Sequence, residues 1–138
     1  LKDTEKLIDA VDYMIADFKS PSKEILKSVT GADIEIIKEN LLKRAITKKY
    51  LLIRIPLINN FNTGEENARG FTEFFKELHD KSGSNNIYIE ILTYHEYGKD
   101  KYKKENLEYN FSDGFVTQNQ VDILKTELEK NNLKIIKT

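Results

Sequence analysis

The chain has 138 residues, enough for one domain with a sizeable core, and its 39% hydrophobic and 33% charged content is that of a globular protein. Its 22 basic and 23 acidic residues leave a net charge of -1, so we expect neither nucleic acid nor an anionic membrane as a partner. It contains no cysteine, which excludes disulfides, thiol nucleophiles and cysteine-bound metal clusters within these residues.

The ends and the hydropathy of the chain bear on its cellular location. No apolar run is long enough to span a membrane and no charged-then-apolar leader is present, so we expect a cytoplasmic protein. The chain begins at Leu1 without an initiator methionine, which favours a piece of a longer protein.

The first predicted strand covers residues 13–19, after an amphipathic helical segment at residues 2–10, and we expect it to be buried. Because side chains alternate along a strand, Asp17 and Lys19 share one face at its end, with Cβ atoms roughly 6 to 7 Å apart. An acid and a base side by side suit a zwitterionic ligand. An ion pair between them, or separate pairs to nearby loops, would leave the same pattern.

Two helices are predicted before the second strand. The stretch Ser20-Pro21-Ser22 stops the strand and can cap a short helix that reaches Val29, after which Thr30-Gly31 breaks it. Asp33 opens a longer helix, whose face of lysine, glutamate and arginine we interpret as solvated surface. Its buried stripe repeats at steps of three or four residues and consists of Ile34, Ile37, Leu41 and Ala45.

The second predicted strand, residues 50–58, is nearly all apolar and carries Arg54 in its middle. An arginine there is costly unless it is paired, so we expect either a structural salt bridge to Glu90 or a contact with a ligand.

A third helix follows the loop at residues 59–64. The spacing of Thr63 and Glu66 predicts a capping box at its start, and His79 near its charged end is interpreted as a surface residue. Its predicted inner face consists of Ala68, Phe71, Phe75 and Leu78.

The third predicted strand, residues 87–94, leads directly into His95, one of only two histidines. On the two-residue period of a strand, Ile89, Ile91, Thr93 and His95 share a face. Ligands gather at the carboxyl ends of strands that helices cover, so His95 is a candidate contact. A structural hydrogen bond from His95 to a neighbouring loop is the alternative.

The spacing of the strands predicts the architecture. They begin near residues 13, 50 and 87, so successive strands start 37 residues apart with helical segments between them. This pattern predicts βαβ units and therefore an α/β fold with a parallel sheet. In such a sheet Asp17, Lys19, Arg54 and His95 would face one mouth, which predicts a binding site for a small molecule.

The last part of the chain alternates loop, helix and strand signals. Residues 96–113 are polar and tyrosine-rich, which favours a long functional loop. Thr117 and Gln120 have capping-box spacing and open a helix that ends at Asn131, after which residues 133–136 form a short closing strand. The inner face of this helix is predicted to contain Val121, Leu124 and Leu128.

Five segments stand out by their order and spacing along almost the whole chain: D-F-K at residues 17–19, T-G at 30–31, N-L at 40–41, R-I-P-L-I at 54–58 and Y-H-E-Y-G-K-D-K-Y at 94–102. In these segments the sequence resembles the C-terminal half of glycyl-radical-enzyme activating enzymes, such as the pyruvate formate-lyase activating enzyme family. These proteins form part of the radical S-adenosylmethionine superfamily. It implies that residues 1–138 are the C-terminal half of a partial (β/α)6 barrel that forms a single domain.

The resemblance also implies a chemistry. In that family a [4Fe–4S] cluster, held by a C-x-x-x-C-x-x-C loop, passes an electron to S-adenosylmethionine, and a 5′-deoxyadenosyl radical takes hydrogen from a glycine of a partner such as pyruvate formate-lyase. Carried over by position, Asp17 and Lys19 would contact the methionine and ribose region of the cofactor, Asp17 directly or through a monovalent cation. His95 would lie near the nucleoside, and Arg54 would point into the barrel with its role open.

The departures from the family limit what this chain does alone. It lacks the cysteine loop, so we expect the cluster only in a longer parent protein and expect these residues alone to be inactive. Three substitutions leave the partner enzyme open: Leu26 replaces a frequent histidine, Thr93 replaces a proline, and Asn59 with Asn60 replaces Pro-Gly.

Two other functions fit the same residues. In the first, the parent protein is another radical S-adenosylmethionine enzyme, one that acts on a small molecule or peptide. In the second, the chain is a cluster-free α/β binding module that holds a zwitterionic metabolite. A purely structural role for the polar residues is the simplest alternative.

A half barrel would also leave its first strand without a neighbour, so we expect that edge either to self-associate or to be covered by the N-terminal helix.

Overall fold

A computed structural model describes residues 2–93 and 115–137. The helices and strands follow one another in the order α1 (Lys2–Ala10), β1 (Tyr13–Asp17), α2 (Lys23–Thr30), α3 (Ile34–Ile46), β2 (Tyr50–Leu57), α4 (Glu65–Ser82), β3 (Ile87–Thr93) and α5 (Gln118–Lys130). None of the helices in these two ranges is both long enough and apolar enough to cross a membrane.

The three strands form one parallel sheet in the order β1-β2-β3. Tyr13 pairs with Tyr50, and Leu51 pairs with Ile87, so the strands are almost level at their amino ends. The strands start at residues 13, 50 and 87, as the regular spacing predicted. The predicted α/β class and the parallel sheet are therefore confirmed.

The main core lies between α2, α3, α4 and α5 and one face of the sheet. The central strand provides the buried residues Leu51, Ile53, Ile55 and Leu57, which join residues of α2, α3, α4 and α5 in one cluster. The opposite face is open along β1, where 75% of Tyr13 and 53% of Ile15 are exposed, whereas Leu52 and Glu90 on the same face are buried. The prediction that the first strand is buried is wrong, because only its helix-facing side is covered by the described residues.

Aromatic packing anchors the end of β1 to α4. Phe18 is fully buried, and its ring lies 5.8, 4.7 and 6.0 Å from the rings of Phe71, Phe74 and Phe75. Such ring pairs stabilise a core beyond the apolar area that they bury. The residues that precede and follow Phe18 in the chain are exposed, because the ring commits the backbone to one orientation.

Helix capping follows the sequence at three of the four predicted starts. The side chains of Ser22, Asp33 and Thr117 accept hydrogen bonds from the first turns of α2, α3 and α5, and Thr117 forms the predicted capping box with Gln120. The capping box predicted at Thr63 is wrong. The residue before α4 is Gly64, whose φ of 96° turns the chain so that no side chain caps the helix.

Arg44 corrects the prediction that the charged face of α3 is entirely solvated. Its side chain is fully buried. Nη1 donates to the carbonyl oxygens of Ile8 and Val11 at 2.6 and 2.7 Å, and Nη2 donates to those of Asp12 and Tyr50 at 3.0 and 2.8 Å. Arg44 therefore joins α1, the turn before β1 and the start of β2.

The closing strand predicted at residues 133–136 is present as a single bridge. Ile135 pairs in parallel with Ile89 of β3, supported by hydrogen bonds from Ile89 N–H to the Lys134 carbonyl and from Ile136 N–H to the Ile89 carbonyl, both at 2.8 Å. The stripe predicted for α5 is confirmed, with Leu124 and Leu128 buried. The loop predicted at residues 96–113 lies outside the described residues.

Candidate functional site

The carboxyl end of β1 presents the predicted acid and base. Asp17 and Lys19 are both exposed, and the buried Phe18 lies between them in the chain. Phe18 N–H donates to the Arg54 carbonyl at 2.9 Å, which extends the pairing of β1 with β2 one residue beyond the strand. The two polar side chains are thus carried by an anchored backbone rather than by an irregular loop.

A buried amide connects this backbone to the loop that follows β2. Asn62 is 1% exposed, and its Nδ2 donates to the carbonyl oxygens of Lys19 at 2.7 Å and Pro56 at 2.8 Å. Its Oδ1 accepts from Ile58 N–H at 2.8 Å. Both amide protons and the amide oxygen are therefore used, all on main-chain groups.

The turn that carries Asn62 is compact. Ile58 C=O accepts from the N–H groups of Phe61 and Asn62 at 3.1 and 3.2 Å. Asn60 has a φ of 63°, a left-handed conformation that asparagine tolerates better than most residues. Asn59 Oδ1 accepts from Gln120 Nε2 at 2.7 Å, so the same turn also contacts the start of α5.

Charged side chains form a row across the face of the sheet that lies opposite the helices. Asp17, Arg54 and Glu90 are register partners on β1, β2 and β3, and paired residues of parallel strands project from the same face. Arg54 Nε lies 3.5 Å from Glu90 Oε1, and the two side chains are 31% and 5% exposed. The structural salt bridge predicted between these two residues is confirmed.

The predicted site residues are only partly brought together. Asp17 and Arg54 lie in the same row, and Lys19 follows two residues after Asp17. The predicted alternation along β3 is present, because Ile89 belongs to the helix-facing core whereas Glu90 pairs with Arg54 on the other face. His95 lies outside the described residues, so its place in the site stays a prediction.

Sequence reasoning missed Asn62. The residue lies in a loop, where no periodicity marks buried positions, and its partners are main-chain groups 43, 6 and 4 residues away. The nearest signal was its position in the loop between β2 and α4, which contains two other asparagines. That signal indicates a turn but does not reveal which amide points inward.

Two grooves between helices lie apart from Asp17 and Lys19. Grooves of about 430 and 480 Å³ run between helices, one lined by residues of α4 and α5, the other by residues of α4 with α2 and the turn before it. Neither groove is lined by Asp17 or Lys19. Within residues 2–93 and 115–137, no three His, Asp or Glu side chains are close enough to hold a metal ion.

Comparisons with known proteins define the class to which this arrangement is related. No protein-family model matches the chain. Its homologues among curated proteins are glycyl-radical-enzyme activating enzymes. A domain with the same fold is that of a pyruvate formate-lyase activating enzyme from Bacteroides vulgatus, which is 18% identical with a TM-score of 0.74, covering 98% of this chain and 72% of that one. The predicted partial-barrel fold is therefore confirmed.

Two relatives illustrate the sequence similarity. The 4-hydroxyphenylacetate decarboxylase activating enzyme of Clostridioides difficile strain 630 is 28% identical over 110 residues, which are 78% of this chain and 33% of that protein. The choline trimethylamine-lyase activating enzyme of Oleidesulfovibrio alaskensis is 31% identical over 104 residues, which are 75% of this chain and 33% of that protein. The chain therefore spans about a third of the length of these relatives.

Proposed function

We propose that the chain is the C-terminal portion of a radical S-adenosylmethionine activating enzyme that generates a glycyl radical on a partner enzyme in the cytoplasm. One observation carries this proposal, namely that relatives similar over three quarters of the chain activate different enzymes. Their names include a decarboxylase, a lyase and a dehydratase as targets. Because activation is common to them while the target differs, we infer activation and leave the glycyl radical enzyme unnamed. Pyruvate formate-lyase is one candidate.

The donor set at the end of β1 fits the amino-acid end of S-adenosylmethionine. That end carries a carboxylate and an ammonium group, which complement the Lys19 ammonium and the Asp17 carboxylate, and charge-assisted hydrogen bonds of this kind are strong. Both side chains are exposed and project from an anchored backbone. We propose that Lys19 binds the carboxylate of the cofactor, and that Asp17 binds its ammonium or ribose hydroxyls.

Two further residues have proposed roles of different kinds. His95 would pack near the nucleoside, as its position after β3 in the resembling family implies. Arg54 is already paired with Glu90, so we propose that it supports the floor of the site rather than holding the cofactor on its own.

The iron–sulfur cluster does not fit these residues. A [4Fe–4S] cluster of this class is held by cysteine thiolates, and the chain contains none. We therefore propose that the cluster is bound by another part of the parent protein, and that the 138 residues alone do not generate a radical.

The first experiment is to read the coding sequence upstream of Leu1. A C-x-x-x-C-x-x-C motif within about 100 residues, a typical domain length, would support the proposal. The protein that this sequence encodes would then be reconstituted anaerobically, mixed with the glycyl radical enzyme encoded nearby and examined by electron paramagnetic resonance. An upstream stop codon with no cysteines would contradict the proposal and favour the cluster-free binding module.

Cofactor binding by the reconstituted protein tests the residue assignment. Lys19→Ala removes a charge-assisted hydrogen bond and is expected to raise the Kd for S-adenosylmethionine at least about tenfold. Lys27→Ala replaces an exposed lysine of α2 and is the matched control, with an unchanged Kd. Equal affinities for the two variants would show that Lys19 does not hold the cofactor.

A further inference from the structure

We infer that Asn62 is a positioning residue for the cofactor site, acting through the main chain of Lys19. The inference rests on the function proposed above, in which Lys19 binds the carboxylate of S-adenosylmethionine. Asn62 itself is buried and makes its three hydrogen bonds to main-chain groups, so any effect on a ligand must pass through the residues that it holds.

The geometry shows what Asn62 controls. Its amide nitrogen donates to Lys19 C=O at 2.7 Å, while Phe18 N–H on the other side of Lys19 donates to Arg54 C=O at 2.9 Å. Ser20, the next residue, is fully buried. The backbone of Lys19 is therefore held before, at and after its own position, although its side chain is exposed. Because the main chain of Lys19 is fixed in position, its flexible side chain starts from a fixed Cα atom.

The second hydrogen bond that Asn62 donates makes the position of the Lys19 main chain depend on β2. The same Nδ2 donates to Pro56 C=O at 2.8 Å, so one amide group links Lys19 to the end of β2, just beyond the last main-chain bond between the two strands. Pro56 has no backbone N–H, so its carbonyl oxygen is its only main-chain hydrogen-bonding group. Without Asn62, the carbonyls of Lys19 and Pro56 lose the donor that they share, and the backbone at Lys19 loses its link to β2.

Two substitutions at this position remove the donors in different ways. Asn62→Ser shortens the side chain. Asn62→Asp keeps its shape but replaces the donor Nδ2 with an oxygen that faces the carbonyl oxygens of Lys19 and Pro56. Asn59→Ser is the matched control, because it makes the same change in the same loop but removes only the contact with Gln120.

The test measures S-adenosylmethionine affinity and amide hydrogen exchange in the full-length, cluster-loaded protein. Both Asn62 variants are expected to raise the Kd about fivefold or more, since a loss of roughly 1 kcal/mol has that effect. They are also expected to speed exchange in the segment from Phe18 to Ser22. Asn59→Ser is expected to change neither quantity. In the Lys19→Ala background, Asn62→Ser should change the Kd little further, because both substitutions then affect one interaction.

The possible failures are distinguishable. An Asn62→Ser protein that unfolds at lower temperature but binds S-adenosylmethionine with wild-type affinity would overturn the inference and leave the proposed function intact. Effects on the Kd that add fully to those of Lys19→Ala would also overturn it. If the wild-type protein does not bind S-adenosylmethionine, or if Lys19→Ala binds it normally, the proposed function fails, and the positioning role fails with it.

Discussion

Two buried polar side chains, Arg44 and Asn62, organise opposite ends of the sheet. Arg44 gathers main-chain carbonyls near the amino ends of β1 and β2, and Asn62 gathers main-chain groups near their carboxyl ends. Buried backbone carbonyls need donors, and in both places a single side chain provides them where the regular hydrogen bonding of the sheet stops. Arg44 is distant from the proposed ligand site, whereas Asn62 is next to it.

Replacement of Arg44 is expected to destabilise the fold strongly. Arg44→Met leaves several carbonyls at the start of the sheet with fewer donors, at a cost of about 1 to 3 kcal/mol for each group that stays buried. We expect the free energy of unfolding to fall by about 3 kcal/mol or more in urea denaturation. Lys125→Met, which changes an exposed basic residue of α5, is the control and should stay within about 0.5 kcal/mol of wild type.

A small effect of Arg44→Met would mean that water replaces the guanidinium at these carbonyls. Arg44→Lys distinguishes charge from geometry. A lysine keeps the charge, but its three N–H donors do not match the five N–H donors of the planar guanidinium. The stability of the Arg44→Lys variant should therefore lie between those of Arg44→Met and wild type.

The starts of α4 and α5 show that capping-box spacing in the sequence produces a capping box only if the threonine occupies the N-cap position. In α5 the Thr117 side chain accepts from Gln120 N–H at 3.2 Å, and the Gln120 side chain accepts from Thr117 N–H at 2.9 Å. At α4 the same spacing is present in sequence, but Gly64 stands at the cap and displaces Thr63 by one position. The N–H groups of the first turn of α4 are therefore not capped by a side chain.

Substitution of the two threonines tests this difference. Thr117→Ala removes a capping hydrogen bond and is expected to lower the free energy of unfolding by about 1 kcal/mol. Thr63→Ala makes the same chemical change beside α4 and is expected to have an effect below about 0.5 kcal/mol. Thermal unfolding followed by circular dichroism would measure both. Equal losses would show that Thr63 caps α4 in solution.

At the scale of the whole molecule, the described residues form a sheet with helices on one face, and its other face is open along β1. Parallel sheets are normally covered on both faces. Here β1 is an edge strand in the described sheet, and Tyr13 and Ile15 project from its open face. In the proposed parent protein, the remainder of the barrel would complete this sheet. In the 138-residue chain alone, the same surface is available to a second copy.

We therefore expect the 138-residue chain to self-associate through β1. Size-exclusion chromatography with light scattering should give a mass above 16.1 kDa that rises with concentration. Ile15→Lys should weaken association, whereas Ile46→Lys, which changes an equally exposed isoleucine on α3, should not. Two explanations are tested together: that β1 pairs with a second copy, and that α1 covers the free edge of β1. A monomer at all concentrations, together with rapid amide exchange along β1, would refute both.

The candidate site was predictable to the extent that it follows strand alternation. Asp17, Lys19 and Arg54 were identified because charged residues are rare at the ends and middles of apolar strands, and the pairing of Arg54 with Glu90 followed from the cost of a buried charge. Asn62 was not predictable, because its partners are distant main-chain groups and any of the loop asparagines could have turned inward.

The sequence by itself determined the order of the helices and strands, the parallel direction of the strands and the apolar face that the helices cover. These properties depend on local periodicity and on the 37-residue spacing, which are present in the chain before it folds. Only the tertiary structure decided that Arg44 is buried, that Gly64 replaces Thr63 as the cap of α4, and that Asn62 holds Lys19. Each of these depends on which main-chain groups are left without partners once the elements have packed, and a linear sequence does not contain that information.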